Sequence, residues 1–439
     1  MGSSPPPTPK KGEIRFKEIR TPCEYIEDYH PGSYHPVHLG DLFKDGQYKV
    51  IRKLGVGSFS TVWLTVDQKQ NRFAALKVLD AEASKESKEL TILRHLAGSV
   101  STDGGKYVTL LLDHFQHEGP NGVHLCLVLE PMGPSANTMV EELPCFKSQT
   151  VDMKIRYPTW MAKSLLRQAL QGLAFLHAND VTHGDFQPGN ILFTLKDLSS
   201  VSENELGQDD SYQYGSISPP VERLDGKVDK WAPKYLAVPQ PLDKYADISQ
   251  DFRIKLSDFG GGKFIDKSGV AFFSSDPPKK IVTPHGLRAP EMIFGGTGNK
   301  SLDIWSFGCL VFEFITGRPL FLVPGFYSEE ESDDDHLLQL SYILGPLPNH
   351  LYSLWTRSSR YFTADRVQFN SFLEEVPEGT DLLSVKGVPL EQFFDNEKPT
   401  DMTDNEAKAV KSLLRRILQY DPAKRPMADE ILQDPWFMS

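Results

Sequence analysis

The chain has 439 residues and a formal net charge of −12, with a sequence pI of about 5.5. That length exceeds one small core and suffices for a two-lobed protein with insertions. The acidic balance argues against direct binding of a nucleic-acid backbone, and no apolar run approaches the length of a membrane span.

The N-terminus is polar and Pro/Ser-rich over residues 1–12, reads as a disordered tail and has no secretory leader pattern. Four cysteines at positions 23, 126, 145 and 309 form neither a CxxC pair nor a metal-ligand spacing. They read as reduced thiols of an intracellular protein. After an N-terminal extension over 1–44, strand-like segments run from Tyr48 to Leu54, Thr61 to Val66 and Arg72 to Leu79. A helix is predicted from Lys85 to Leu96, then strands from Tyr107 to His114 and Val123 to Glu130. Residues 45–132 therefore predict a five-stranded sheet with one main helix.

Beyond Gly133 the pattern becomes helical. Leu165, Leu166, Ala169, Leu173 and Leu176 recur at helical spacing in Ala162–His177, and further helices are predicted at Leu302–Thr316, His336–Leu344, Asn405–Gln419 and Ala428–Gln433. Residues 133–198 and 251–439 make up this helical part. Between them, 199–250 is rich in Ser, Asp, Gly and Pro and reads as an insertion, either functional or a passive linker.

The chemistry-bearing residues fall in a fixed order. Gly55 and Gly57 form a turn between two strands, where backbone amides can approach phosphate oxygens. Lys77 lies on the third strand, and Glu89 on the next helix, ahead of a buried stripe at Ile92 and Leu93, is its expected partner, with Glu86 as the competitor. Asp185 and Asn190 stand five residues apart, and Asp258 opens an Asp-Phe-Gly turn. This pattern predicts ATP-dependent phosphoryl transfer: Asp185 receives the proton of an attacking hydroxyl, and Asn190 and Asp258 hold Mg2+ against the phosphates. Leu54, Val62 and Ala75 are read as nucleotide-facing, with a hinge at Glu130 and Met132. Glu291 and Arg425 are expected to form a buried bidentate pair, and Asp303 to anchor the catalytic-loop backbone.

These motifs together resemble a eukaryotic protein kinase over about residues 45–439. The resemblance implies an α+β, bilobal kinase fold with a small β-rich N-lobe and a larger, mostly helical C-lobe. More narrowly, Tyr34-His-Pro-Val-His-Leu-Gly-Asp-Leu-Phe43, Val50-Ile-Arg-Lys-Leu54, Phe59-Ser-Thr-Val-Trp63, and Asp334-Asp-His336 with Leu344-Gly-Pro346 are similar to the SR-protein kinases. That family phosphorylates serines in Arg/Ser-rich splicing-factor tails and carries a spacer where the 199–250 insertion falls. The expected partners are basic Arg/Ser-rich proteins, and the expected state is a monomer in the cytoplasm, the nucleus or both.

Two positions depart from the kinase pattern. Gly184 replaces the arginine that couples activity to a phosphorylated activation segment, which implies activity without that switch. Gln187 replaces the lysine that contacts the γ-phosphate; losing that charge-assisted contact costs about 2–4 kcal/mol in the transition state. Two other readings stay open: a weakly active or inactive scaffold that binds basic tails, and a small-molecule phosphotransferase, which shares His-Gly-Asp-x-x-x-x-Asn. The acidic run Glu329–Asp335 reads as a docking surface, with Asp334 and Asp335 expected to hold substrate arginines.

Overall fold

The computed structural model describes residues 12–99, 103–143, 155–272, 275, 281–370 and 387–438. Most of the expected tail and Cys145 lie outside these residues. Contacts divide the chain into two compact units. One comprises the chain up to Gly98 with Thr109–Pro134 and Leu192–Arg253; the other comprises Ser99–Val108, Ser135–Ile191 and Ile254–Ser439.

The first unit is built on a sheet of β1 (Leu42–Phe43), β2 (Tyr48–Gly57), β3 (Ser60–Asp67), β4 (Arg72–Leu79), β5 (Leu111–Gly119) and β6 (Gly122–Leu129). The sheet has six strands in the order β1-β2-β3-β4-β6-β5, every neighbour antiparallel. It has one strand more than the sequence predicts, because β1 is too short to carry a period. Lys44, Asp45 and Gly46, all at positive φ, fold β1 back onto β2.

The single predicted helix is two: α1 (Ala81–Glu86), whose N-terminus is capped by Asp80, and α2 (Glu89–Ala97). Side chains alternate across the strands. Trp63, Ala74, Leu76, Val78, Cys126 and Val128 are buried on one face, covered by Val37 from the extension and by Ile217 and Ala237 from the insertion. Removing the leucine, isoleucine and valine side chains of this set from water stabilises the unit by roughly 1.5–3 kcal/mol each.

The insertion is thus an ordered part of this unit. It pairs Ile217 with Ala237 and Arg223 with Phe16 of the extension. A second cluster sets its Leu206 and Leu242, with the adjoining Leu198, against Ile51 and Leu64.

In the second unit, the helix Thr159–Ala178 buries Leu165, Leu166, Ala169, Leu173 and Leu176, as its spacing predicts. The helix Ser301–Thr316 is buried along nearly its whole length. The helix Glu329–Ile343 starts earlier than the predicted His336, because Ser328 and Glu331 form a capping box and the first-turn acids complement the helix dipole. Arg425 donates to both carboxylate oxygens of Glu291, at 2.6 and 2.7 Å. No helix among the described residues is long and apolar enough to cross a membrane. Cys23, Cys126 and Cys309 are free thiols.

Candidate active site

In the β-rich unit the strand register aligns the nucleotide-facing candidates. Gly55 pairs with Val62, Val62 with Lys77, and Lys77 with Leu127. Ala75 is two residues from Lys77 and therefore shares its face. Lys77 Nζ donates to both oxygens of Glu89, at 2.8 and 2.9 Å. Glu89, the first residue of α2, is buried, whereas Glu86 at the end of α1 is exposed. Leu54 lies beside a register shift in β2 between Lys53 and Gly55, and Gly57 closes the hairpin opposite Ser60. Met132 is buried, and Glu130 accepts the Leu110 amide at 2.7 Å.

In the helical unit the catalytic-loop candidates converge. Asp303, almost wholly buried, accepts the backbone amides of His183 and Gly184, each at 2.9 Å, and bonds His177 Nε2 at 2.8 Å. Burial alone would raise its pKa, but these hydrogen bonds and the nearby histidines hold it below the ordinary carboxylate value. The loop backbone is thereby fixed on a buried charge.

Asn190 Nδ2 donates to the Asp185 carbonyl at 2.9 Å and to Asp185 Oδ2 at 3.0 Å. The sequence assigns Gln187 to the γ-phosphate; the structure turns its Nε2 to Asp185 Oδ2 at 2.8 Å. Asp185 Oδ1 is buried and accepts no hydrogen bond among the described residues. Burial raises the Asp185 pKa; the bonds from Gln187 and Asn190 pull it down, and the charge of Asp258 adds to the rise. Asp258 therefore lies close enough to be felt at Asp185. Its backbone is left-handed, with φ of 60°, an uncommon strain outside glycine that concentrates at functional sites.

Gly184 has φ of +72°, and a Cβ there would meet the Gly261 carbonyl oxygen at 2.2 Å. The loop excludes an arginine at this position on both counts. Thr283 Oγ1 donates to the Gly184 carbonyl at 2.7 Å, and Arg288 Nε to the Thr283 carbonyl at 2.9 Å. The chain at Thr283–Arg288, downstream of Asp258, thus grips the loop backbone at Gly184.

The docking assignment needs correcting. Asp334 is 2% exposed. Its carboxylate accepts from Trp355 Nε1 at 2.7 Å, Arg357 Nε at 2.8 Å and the Tyr361 hydroxyl at 2.8 Å. It staples a helix to the following loop and cannot greet a substrate arginine. Asp335 is half-buried and accepts from Gln339 at 3.0 Å. In a helix these neighbouring acids point to different sides, which a run of like letters conceals.

The residues fit a magnesium nucleotide. Among the described residues no group of three or more His, Cys, Asp or Glu is arranged to hold a metal ion. One carboxylate and one amide, Asp258 and Asn190, suit a hard cation whose other ligands are phosphate oxygens and water.

Comparison with known proteins agrees with this geometry. The protein kinase domain model matches residues 48–202 and 246–437. The chain belongs to the protein kinase family. It is 31% identical to the serine/threonine-protein kinase SRPK of Physarum polycephalum, over 94% of this chain and 91% of that protein. It is 27% identical to the protein kinase dsk1 of Schizosaccharomyces pombe, over 97% and 87% of the two chains. A crystal structure of the PF14_0431 kinase domain shares the fold, with a TM-score of 0.58 at 24% identity, covering 92% of this chain and 98% of that one. Within its family, then, the chain resembles the SR-protein kinases. The family match skips 203–245, inside the insertion.

Proposed function

We propose that this chain transfers the γ-phosphoryl group of ATP to serines in Arg/Ser-rich protein segments. The observation that carries the reading is Asp185: a carboxylate on a backbone fixed by Asp303, one oxygen held by Gln187 and Asn190, the other buried and unpaired. An acceptor so placed suits the proton of an incoming hydroxyl. Asn190 and Asp258 would hold Mg2+, and Lys77, oriented by Glu89, the α/β-phosphates. The metal, when bound, neutralises charge on the phosphates. Gln187 keeps Asp185 oriented as a neutral donor.

The substrate class draws support from the similarity to SRPK and dsk1 and from the net charge of −12. With Asp334 turned inward, the exposed acids of that helix are Glu329, Glu330 and Glu331 in its first turn, and Glu329 is our candidate for a substrate arginine, since Glu330 pairs with Arg357 and Glu331 caps the helix.

Radiolabelled ATP with magnesium and an Arg/Ser peptide tests the reading in the native chain, Asp185→Ala and Gln187→Lys. Transfer by the native chain, abolished in Asp185→Ala, is the expected result. Nucleotide binding without transfer to any Arg/Ser peptide would leave a binding scaffold instead.

A further inference from the structure

Beyond its own strand pairing and a bond from Asp80 N to the Phe59 carbonyl at 2.8 Å, the glycine-rich hairpin offers few atoms for packing at its glycines. A Cβ at Gly55 would meet nothing within 4 Å, and one at Gly57 only Ser60. Val56, Ser58 and Phe59 at its tip are exposed. The backbone amides read above as phosphate ligands therefore sit on a segment with much freedom to lose on binding.

A restraint comes from the extension, upstream of the family match. The Tyr34 hydroxyl donates to the Gly57 carbonyl at 2.6 Å. Tyr34 is itself held on several sides. Asn121, buried at 3% exposure, donates its Nδ2 both to the Tyr34 carbonyl and, at 2.9 Å, to the carbonyl of Trp231 in the insertion. Gly32 donates to the Asn121 carbonyl at 2.8 Å, and its own carbonyl accepts Glu82 N at 2.8 Å. The Tyr34 ring lies in an apolar cluster with Phe16, Ile26, Tyr29 and Leu236.

The same layer grips β2 where the hairpin begins. Lys53 N donates to Gln208 Oε1 at 2.9 Å, Gln240 N donates to the Lys53 carbonyl at 2.8 Å, and Lys53 Nζ pairs with Glu24. Extension and insertion thus hold β2 on either side of Gly55, at Lys53 and at Gly57. Burial and nearby carboxylates push the Tyr34 phenol up to about 12, so it remains a donor across the neutral range.

We infer that Tyr34 is a positioning residue for the nucleotide: by holding the Gly57 carbonyl it fixes the hairpin in the shape that receives the triphosphate, lowering the ordering cost of binding. The inference rests on the proposed reading that this hairpin binds ATP. The ring, not the hydroxyl, fills the apolar cluster, so Tyr34→Phe separates positioning from packing. Tyr29→Phe is the control, because it removes a hydroxyl bonded to Glu24 in the same cluster.

The test measures calorimetric binding of ADP with magnesium, and KM for ATP and for peptide alongside kcat. Loss of one hydrogen bond predicts that Tyr34→Phe raises the ADP Kd and the ATP KM about three- to tenfold. Peptide KM and kcat should stay at native values, and Tyr29→Phe should leave ATP KM unchanged. Amide exchange at residues 55–60 should quicken in Tyr34→Phe relative to the sheet core, a readout that needs no turnover. Native ADP affinity and native exchange in Tyr34→Phe would overturn the inference. So would an equal rise in Tyr29→Phe, which marks general loosening. A native chain that binds no ADP would instead overturn the parent reading.

Discussion

Two buried lysine–glutamate pairs lie in the same β-rich unit and differ in what surrounds them. Lys77 and Glu89 have side chains 10% and 3% exposed; Lys53 and Glu24 have side chains 0% and 4% exposed. Lys53 also lies over the Trp63 ring, 5.3 Å from its centroid, and the Tyr29 hydroxyl donates to Glu24 at 2.6 Å. The first pair keeps a small part of its lysine side chain exposed. The second is sealed and ties the extension to the sheet. The same two side chains stand at a proposed nucleotide site in one place and in a sealed joint in the other, and exposure, not residue type, separates them.

Lys53→Met is the sharpest way to break this contrast. It strands Glu24 in the interior and should cost about 3–5 kcal/mol of stability, read by chemical denaturation, while folded enzyme keeps its turnover. Lys77→Met should do the reverse in kind, lowering phosphoryl transfer about 10²–10³-fold through loss of a charge on the phosphates. Were the two variants to show the same profile, the division between sealed and accessible pairs would fail.

A third buried carboxylate extends the test to the helical unit. Asp334→Ala should destabilise by about 1.5–3 kcal/mol, since bonds to a charged group are lost. Peptide KM should not change below the melting temperature; a rise in peptide KM without loss of stability would return Asp334 to substrate docking.

Gln187→Ala probes the Asp185 carboxylate by pH. The Gln187 bond favours the Asp185 carboxylate, so its loss moves a pKa already raised by burial further upward. Asp185 is then protonated at pH values where the native residue is ionised. The acid limb of kcat/KM should shift to higher pH, and an unmoved limb would exclude Asp185 as the titrating base.

The smallest effect belongs to the double variant Lys53→Met with Glu24→Leu. Replacing a whole buried pair by apolar groups should return stability to within about 1 kcal/mol of the native chain.

Sequence made the first pair legible and hid the second. Glu89 follows Lys77 across one strand–helix connection and sits beside a periodic apolar stripe, so local pattern finds it. Glu24 reaches Lys53 from an extension without strand or helix period, and its contact depends on how the extension folds over the sheet. The catalytic loop was readable for a similar reason: Asp185, Gln187 and Asn190 meet within one turn of chain. The acidic helix misled because composition carries no direction; Asp334 turns inward while Glu329 faces solvent. The insertion was visible as a change of composition, but its packing on the sheet rests on scattered apolar residues such as Ile217 and Ala237, too sparse to show a period.

The crowding at Gly184 limits what can be engineered there. Where Gly261 crowds it, any first side-chain carbon collides with main chain, so Gly184→Arg alone has to displace the backbone and should lower stability. An arginine at this position requires the neighbouring stretch after Asp258 to be rebuilt in the same step.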